Sequence, residues 1–405
     1  MAGAQNDEAL MAAARKRTRQ LSEERLVLYA GANLPSAEVI AAYAPGLSAY
    51  PAMGPSFFKE QPDTDLVSRL EQRVEALACD VFGAAWAQVR LPSCTLANLA
   101  VFHSFAAPGD LLLAPSAAHG GHLSQRRGGT PELAGLRVED LPFDTQGCQL
   151  DGRRAAALVL QRQPKLVMLG RSVLLAPDDI DEVVRAAQAV GALTIFDASH
   201  VSGLIAGKVF PNPFEAGVDI ITTSTYKTLP GLPQGLVLGR EPEHGAKLRS
   251  LLDRAFLANY DAGRLPCLLQ LLDEVKLGGV DYARRIIRNT VALAEALRDQ
   301  GLPVMVGATA QQATHQLLIA LGHAADPRAV MQQLERSGIV VGTCADPSRP
   351  GEHALRLGTQ VLTRLGLEPR DMADIAALLR RVLAGQSDGG AEVKALLARY
   401  HSPRP

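Results

Sequence analysis

Aromatic side chains are scarce in this chain: one Trp, seven Tyr and ten Phe among 405 residues, 4% in all. A core for a chain of this length must therefore be filled by Ala, Val, Leu and Ile. Neither charge is in excess. Lys and Arg number 41 against 42 Asp and Glu, for a formal net charge of −1 and a pI near 6.8. That balance leaves no basic footprint, so no nucleic acid is expected as a partner. The five cysteines, Cys79, Cys94, Cys148, Cys267 and Cys344, are odd in number, widely spread and without a C-x-x-C pair. Such spacing is neither a disulfide framework nor a zinc ribbon, and it suits a reducing compartment. No window reaches the roughly eighteen unbroken apolar residues of a membrane span. The first twenty residues, MAGAQNDEALMAAARKRTRQ, hold no apolar stretch of signal-peptide type. The expectation is a soluble cytoplasmic protein with no membrane partner.

What is present is a globular composition, 47% hydrophobic and 20% charged, which excludes a disordered chain. Residues 1–40 read as an N-terminal helical arm, charged between Asp7 and Arg25. The Pro- and Gly-rich run 44–63 reads as a functional loop. Leu66, Val67, Leu70, Val74, Leu77 and Val81 recur at helical steps, with Thr64 placed to cap the start and Gly83 to close the end. From Trp86 to Gly239 short apolar runs (111–115, 166–169, 193–196, 219–222, 235–239) alternate with helical patterns at 93–106 and 178–190. This alternation predicts an α/β domain over 41–280 with a mostly parallel central sheet flanked by helices. A helix at 282–299, strands around 315–320 and 354–358, and helices at 327–336 and 371–384 predict a smaller C-terminal α+β domain, 281–405.

Three strand ends carry chemistry. LTIFDASH puts Asp197 past one strand with His200 three residues on; DIITTSTYKTLPG puts Ser224 and Lys227 past another; APSAAHGGHL puts His119 and His122 in a loop after a third. Ligands of open α/β sheets bind beyond the carboxyl ends of strands, so all three can face one crevice. A Lys at a strand end can bond covalently to a carbonyl if its pKa is lowered, and a carboxylate nearby can keep a pyridinium nitrogen protonated. Ser93, Cys94 and Thr95, before a helix expected to begin near Leu96, suit a phosphate at a helix N-terminus. Together these are the parts of a pyridoxal 5'-phosphate site. The alternative reading of the two histidine pairs, a metal cluster, would leave Lys227 and the Ser-Cys-Thr turn without a task, and no metal is expected.

At these residues the chain resembles the serine hydroxymethyltransferase family, a branch of the fold-type I pyridoxal phosphate enzymes. The similarity runs from about Leu26 to Leu367 and is densest in AHGGHL (118–123), in the run 197–231 and in ALRLGT (354–359). The resemblance implies Lys227 as the lysine that binds the cofactor covalently, Asp197 as the pyridinium partner and His119 stacked on the ring. It implies His200 and Ser172 near the phenolic oxygen, Ser93, Thr95 and Ser224 on the phosphate, and Arg356 on the substrate carboxylate. Tyr50 matches the tyrosine of a substrate loop that in the family reaches the neighbouring subunit, which implies a homodimer with shared active sites. Gly263, with Arg264, is the best substitute for the glycines that reach the partner's phosphate.

Departures from the family are specific. Its Ala-Ser-Glu-Asn motif reads Ala30-Gly31-Ala32-Asn33, and the glutamate after the loop tyrosine reads Ala52 in Tyr50-Pro51-Ala52. Paired tyrosines correspond to Phe57-Phe58, and the histidine before the lysine is Tyr226. Both acids of folate-dependent chemistry are gone, while the parts that bind the cofactor and an α-amino acid remain; Glu60 is at most a displaced replacement. The expected activity is a folate-independent aldolase or transaldolase that makes or breaks the Cα–Cβ bond of threonine-like β-hydroxy-α-amino acids. An aldehyde is the second small-molecule partner, and His122 or a water near Tyr50 the base. Tetrahydrofolate-dependent hydroxymethyl transfer to glycine or alanine, and a cofactor-binding protein without turnover, stay as alternatives. Phe57 and Phe58 serve either an apolar aldehyde site or the core.

Overall fold

The computed structural model describes residues 2–307, 309 and 312–400. Its centre is a seven-stranded sheet: β1 (Trp86–Leu91), β2 (Leu111–Ala114), β3 (Arg137–Asp140), β4 (Leu166–Leu169), β5 (Leu193–Asp197), β6 (Ile220–Ser224) and β7 (Gly235–Gly239). The spatial order is β1-β7-β6-β5-β4-β2-β3. β7 runs antiparallel to both its neighbours and every other pairing is parallel. β1, β2, β4, β6 and β7 are buried along their whole length, which is why β2, β4 and β7 read as unbroken apolar runs rather than alternating ones. The core is aliphatic as the composition requires; Phe82 and Phe102 are the only aromatics among its largest fully buried side chains.

Of the helices, α1 (Ala2–Glu23) is the N-terminal arm. α2 (Asp65–Phe82), α3 (Cys94–Phe105) and α4 (Asp181–Val190) sit where helical spacing predicts them. Local capping differs in two places. Thr64 stands at the start of α2, but its hydroxyl donates to the Gln61 carbonyl (3.1 Å) instead of capping the helix. Gly83 closes α2 as expected, at φ +70 with its N–H on the Cys79 carbonyl. α3 begins at Cys94, two residues before Leu96, because Ser93 is the cap and its Oγ accepts from the Leu96 N–H.

The helix expected at 282–299 is longer. α5 runs from Leu265 to Asp299, so residue 280 falls inside it. The Gly278-Gly279 pair that looks like a break lies where another segment packs closely: a Cβ on Gly207 would come within 2.3 Å of Ala283 Cβ and 2.7 Å of the Gly279 carbonyl. Beyond α5 a four-stranded antiparallel sheet forms from β8 (Val304–Met305), β9 (Gln316–Ala320), β10 (Gly342–Ala345) and β11 (His353–Gly358), in the order β8-β9-β11-β10. α6 (Pro327–Arg336) and α7 (Met372–Leu383) belong to the same region, and Leu355, Leu357, Ile375 and Leu379 fill its core. Among the described residues no helix is long and apolar enough to cross a membrane.

Candidate active site

Antiparallel pairing on both sides of β7 leaves β1, β2, β4, β5 and β6 pointing the same way. Five segments therefore meet beyond their carboxyl ends, around one cleft. Ser93, Cys94 and Thr95 come from the start of α3, His122 from the loop after β2, Ser172 from the turn after β4, Asp197 and His200 from the end of β5, and Ser224 and Lys227 from the end of β6. Gly170 allows the β4 turn: its φ is +77, and a Cβ there would lie 2.3 Å from the Asp197 carbonyl.

Asp197 is the organising acceptor. Its Oδ2 takes a hydrogen bond from Asn98 Nδ2 (2.9 Å), its Oδ1 one from the Ser199 N–H (3.0 Å), and the Cys94 thiol lies 3.6 Å from both oxygens. Asn98 in turn accepts from Thr222 Oγ1 (2.6 Å) and donates to Ser124 Oγ (3.0 Å). Ser124 completes the chain on His122, with its Oγ 2.8 Å from Nδ1 and its N–H donating to the same nitrogen (3.2 Å). Because Nδ1 is the acceptor, the proton of neutral His122 sits on Nε2. This overturns the expectation of His122 as the base: the nitrogen free to act carries a proton already.

His119 does not line the cleft. Its ring stacks on Phe143 (centroids 4.2 Å apart, planes at 8°) and its Nδ1 is 2.9 Å from Ser116 Oγ, in a separate small cavity with Leu141 and Phe143. Gly120, at φ +86, turns the chain between the two histidines, so only His122 reaches the cleft and His119 is not placed to stack on a ring there. Three other expected residues, Tyr50, Gly263 and Arg356, are also absent from the lining. Tyr50 is 42% exposed. Gly263 donates its N–H to Ser48 Oγ (3.2 Å) and accepts from the Ala44 N–H (3.1 Å), so its backbone is committed within this chain. Phe57 and Phe58 are exposed, Phe58 by 81%, so the core alternative for them is not what the fold shows. Glu60 is exposed as well.

Lys227 is half-buried, and desolvation lowers its pKa against the opposing pull of Asp197 and Cys94. Asn33, retained from the altered motif, donates to the Lys227 carbonyl (2.6 Å) and to Tyr282 Oη (2.9 Å), which ties the lysine's backbone to α5. Arg356 on β11 reaches in from the small sheet, with Nη1 on the Ser172 carbonyl (2.9 Å). It stands near enough to help lower the pKa of His122, His200 and Lys227, in each of which burial is the larger cause.

Asn98, Ser124, Ser199, Arg171, Gln125 and His315 were not singled out from the sequence. Asn98 had a legible signal: it lies four residues after Cys94 on one helix, so both face Asp197. His315 lies at the entry to β9 and had none. Its ring stacks against His200 (5.8 Å, 14°), with Nε2 at the Ala30 carbonyl (3.2 Å). Burial carries the His315 pKa down to about 3, against the pull of that carbonyl. A folded pKa this far below the unfolded one makes stability fall as pH falls through 6.5, because the unfolded chain takes up a proton that the fold refuses. Between pH 7 and 5 this site alone is expected to withdraw roughly 2 kcal/mol. Melting of His315→Asn should show a shallower acid decline than the parent; parallel declines would contradict the assignment.

The donor set fits pyridoxal phosphate. Hydroxyls of Ser93, Thr95 and Ser224 line the cleft at the N-terminus of α3, where a dianion is stabilised. Asp197 stands ready as an acceptor, and His200 Nδ1 is buried without a hydrogen-bond partner among the described residues, so it is free to take one. Among the described residues no three His, Cys, Asp or Glu side chains converge to hold a metal ion.

Comparison with known proteins agrees. A solved structure of L-threonine transaldolase from Pseudomonas fluorescens superposes with a TM-score of 0.89, covering 99% of this chain and 94% of that one at 24% identity. Fold and site together define a fold-type I pyridoxal phosphate enzyme. The family model of serine hydroxymethyltransferase matches residues 4–379, and the chain belongs to that family. An alpha-methylserine aldolase of Variovorax paradoxus is 34% identical over 91% of this chain and 84% of its own length. A serine hydroxymethyltransferase of Thermococcus onnurineus is 36% identical over 77% of this chain and 75% of its own.

Proposed function

We propose that the protein is a folate-independent aldolase, cleaving the Cα–Cβ bond of β-hydroxy-α-amino acids to an aldehyde and a simpler amino acid. The observation that carries this is the carboxylate inventory of the cleft. Asp197 is the one carboxylate in its lining, and its oxygens are already engaged by Asn98, Ser199 and Cys94. The two positions where the family carries glutamate are Ala32 and Ala52, and Ala52 is buried. The resemblance to alpha-methylserine aldolase supports the same reading.

Pyridoxal phosphate, when bound, supplies the electron sink that a carbanion at Cα requires. Ser93, Thr95 and Ser224 would hold its phosphate, His122 would lie on its ring, and Asp197 would keep its ring nitrogen protonated. Arg356 would take the amino-acid carboxylate through its planar fork. With the His122 proton fixed on Nε2, the Lys227 amine, its pKa lowered by burial, is the group placed to accept the β-hydroxyl proton at Nζ. The exposed Tyr50, Phe57 and Phe58 support a homodimer in which this loop reaches the partner's cleft. Transfer of the cleaved fragment to a second aldehyde is the same chemistry run back onto a different acceptor.

The test is turnover with and without tetrahydrofolate. Threonine and α-methylserine should release acetaldehyde and formaldehyde at rates that added tetrahydrofolate leaves unchanged. Cleavage that appears only with tetrahydrofolate would replace this reading with hydroxymethyl transfer, which the Thermococcus relative favours. No cleavage of either substrate under both conditions would leave a cofactor-binding protein.

A further inference from the structure

The carboxylate end of the cleft holds an aromatic residue that no motif assigned. Tyr29 forms a β-bridge with Leu357, the residue after Arg356 on β11, and its ring turns back toward the Arg356 side chain. The ring lies 6.0 Å from the guanidinium, at the outer edge of cation–π range. Two glycines make room for it. A Cβ on Gly342 would lie 2.9 Å from Tyr29 Cε2, and one on Gly31 would lie 2.9 Å from Cε1 and 3.3 Å from the hydroxyl oxygen. The phenolic end thus occupies the volume that any side chain at position 31 would need. Gly342 is the cross-strand partner of Arg356, so the ring is held against the arginine's own neighbour.

The backbone is fixed too, since the Tyr29 carbonyl accepts from Gln360 Nε2 (2.8 Å). Tyr29 is also close enough to the cleft-lining Tyr226 to add to burial in raising that phenol's pKa. Arg356 has Nη1 committed to the Ser172 carbonyl, and its Nε is buried without a partner. The ring therefore adds a second contact to the Ser172 hydrogen bond that orients the guanidinium.

We propose that Tyr29 is a substrate-positioning residue whose ring pins the Arg356 guanidinium and whose hydroxyl donates a second hydrogen bond to the amino-acid carboxylate that Arg356 takes. This rests on Arg356 as the carboxylate site. It gives the chain a hydroxyl beside the carboxylate although position 31 carries no side chain, and it explains why positions 31 and 342 are both glycine.

The experiment uses the holoenzyme and reads KM and kcat for a cleaved β-hydroxy amino acid. Inhibition by glycine and by 2-aminoethanol, an amine without a carboxylate, is read alongside. Tyr29→Phe should raise KM and weaken glycine about tenfold, the loss of one hydrogen bond to a charged group, while kcat stays within about twofold and 2-aminoethanol inhibits as before. Gly31→Ala should do the same by displacing the phenol. An unchanged KM in Tyr29→Phe, or equal weakening of glycine and 2-aminoethanol, would overturn the proposal. Arg356→Lys separates the two levels: if it leaves glycine binding intact, Arg356 itself is not the carboxylate site.

Discussion

Asp197→Ala is expected to abolish measurable turnover, by about 10³-fold or more (~4 kcal/mol), while the protein stays folded. The reason is the placement of the carboxylate. It is buried, it accepts from Asn98 Nδ2 and the Ser199 N–H, and it lies across the cleft lining from Lys227. Without it nothing in the lining can hold a proton on the cofactor's ring nitrogen, and charge developing at Cα loses its sink. Asp197→Asn is a sharper test. Its amide keeps the shape, but its NH₂ must face either the Asn98 amide or the Ser199 N–H, donor against donor. It too should lose turnover by about 10³-fold, with the visible band of lysine-bound cofactor retained. Asn98→Ala removes one of several donors and should cost only about tenfold. The assay is single-substrate cleavage with cofactor stoichiometry measured alongside. An Asp197→Asn enzyme within tenfold of the parent would sink the assignment.

Glu71→Ala should be the most destabilising single change outside the cleft, by about 3–5 kcal/mol. Glu71 on α2 and Lys59 in the 44–63 loop form an ion pair of 2.6 Å whose side chains are 1% and 0% exposed. Tyr260 Oη also donates to Glu71 Oε1, Ser56 Oγ to Oε2, and Lys59 Nζ reaches the Gly54 carbonyl at 2.8 Å. Deleting the acid strands an ammonium and two hydroxyls in a dry environment, which is far worse than removing the whole pair. Lys59→Met/Glu71→Leu should therefore recover most of the loss. Denaturation midpoints of the parent, single and double variants check this; a single variant as stable as the parent would show that the pair carries no net weight. Because the pair ties the loop bearing Tyr50 to α2, the single variant should also raise KM if that loop serves the site.

Much of this was legible in order along the chain. Buried strands announce themselves as apolar runs, and residues just past them, Asp197 and Lys227 among them, could be expected to share one crevice from topology alone. His119 and His122 could not be told apart in this way. They are three residues apart in one loop, and only the left-handed turn at Gly120 decides which ring enters the cleft. The base role expected of His122 failed for a similar reason: its tautomer is set by Ser124 and Asn98, and Asn98 belongs to a different element. The length of α5 was hidden because Gly278-Gly279 reads as a break until the close approach of Gly207 is seen.

The scarcity of aromatics was a property of the sequence alone, and so was the aliphatic core it required. Composition, apolar periodicity and the local order of polar residues at strand ends determined the sheet and the cofactor chemistry, and the resemblance to the family marked the loss of the two acids. Tertiary structure decided what the few aromatics do. Phe57 and Phe58 stand exposed rather than buried, Phe143 takes the ring of His119, and Tyr29 fills the space beside Arg356 that two glycines leave open. The His119–Phe143 and Tyr29–Arg356 contacts are not local: they join residues 24 and 327 positions apart in the chain. Side-chain packing and hydrogen-bond direction across such distances depend on the folded backbone, and no spacing rule along the sequence encodes them.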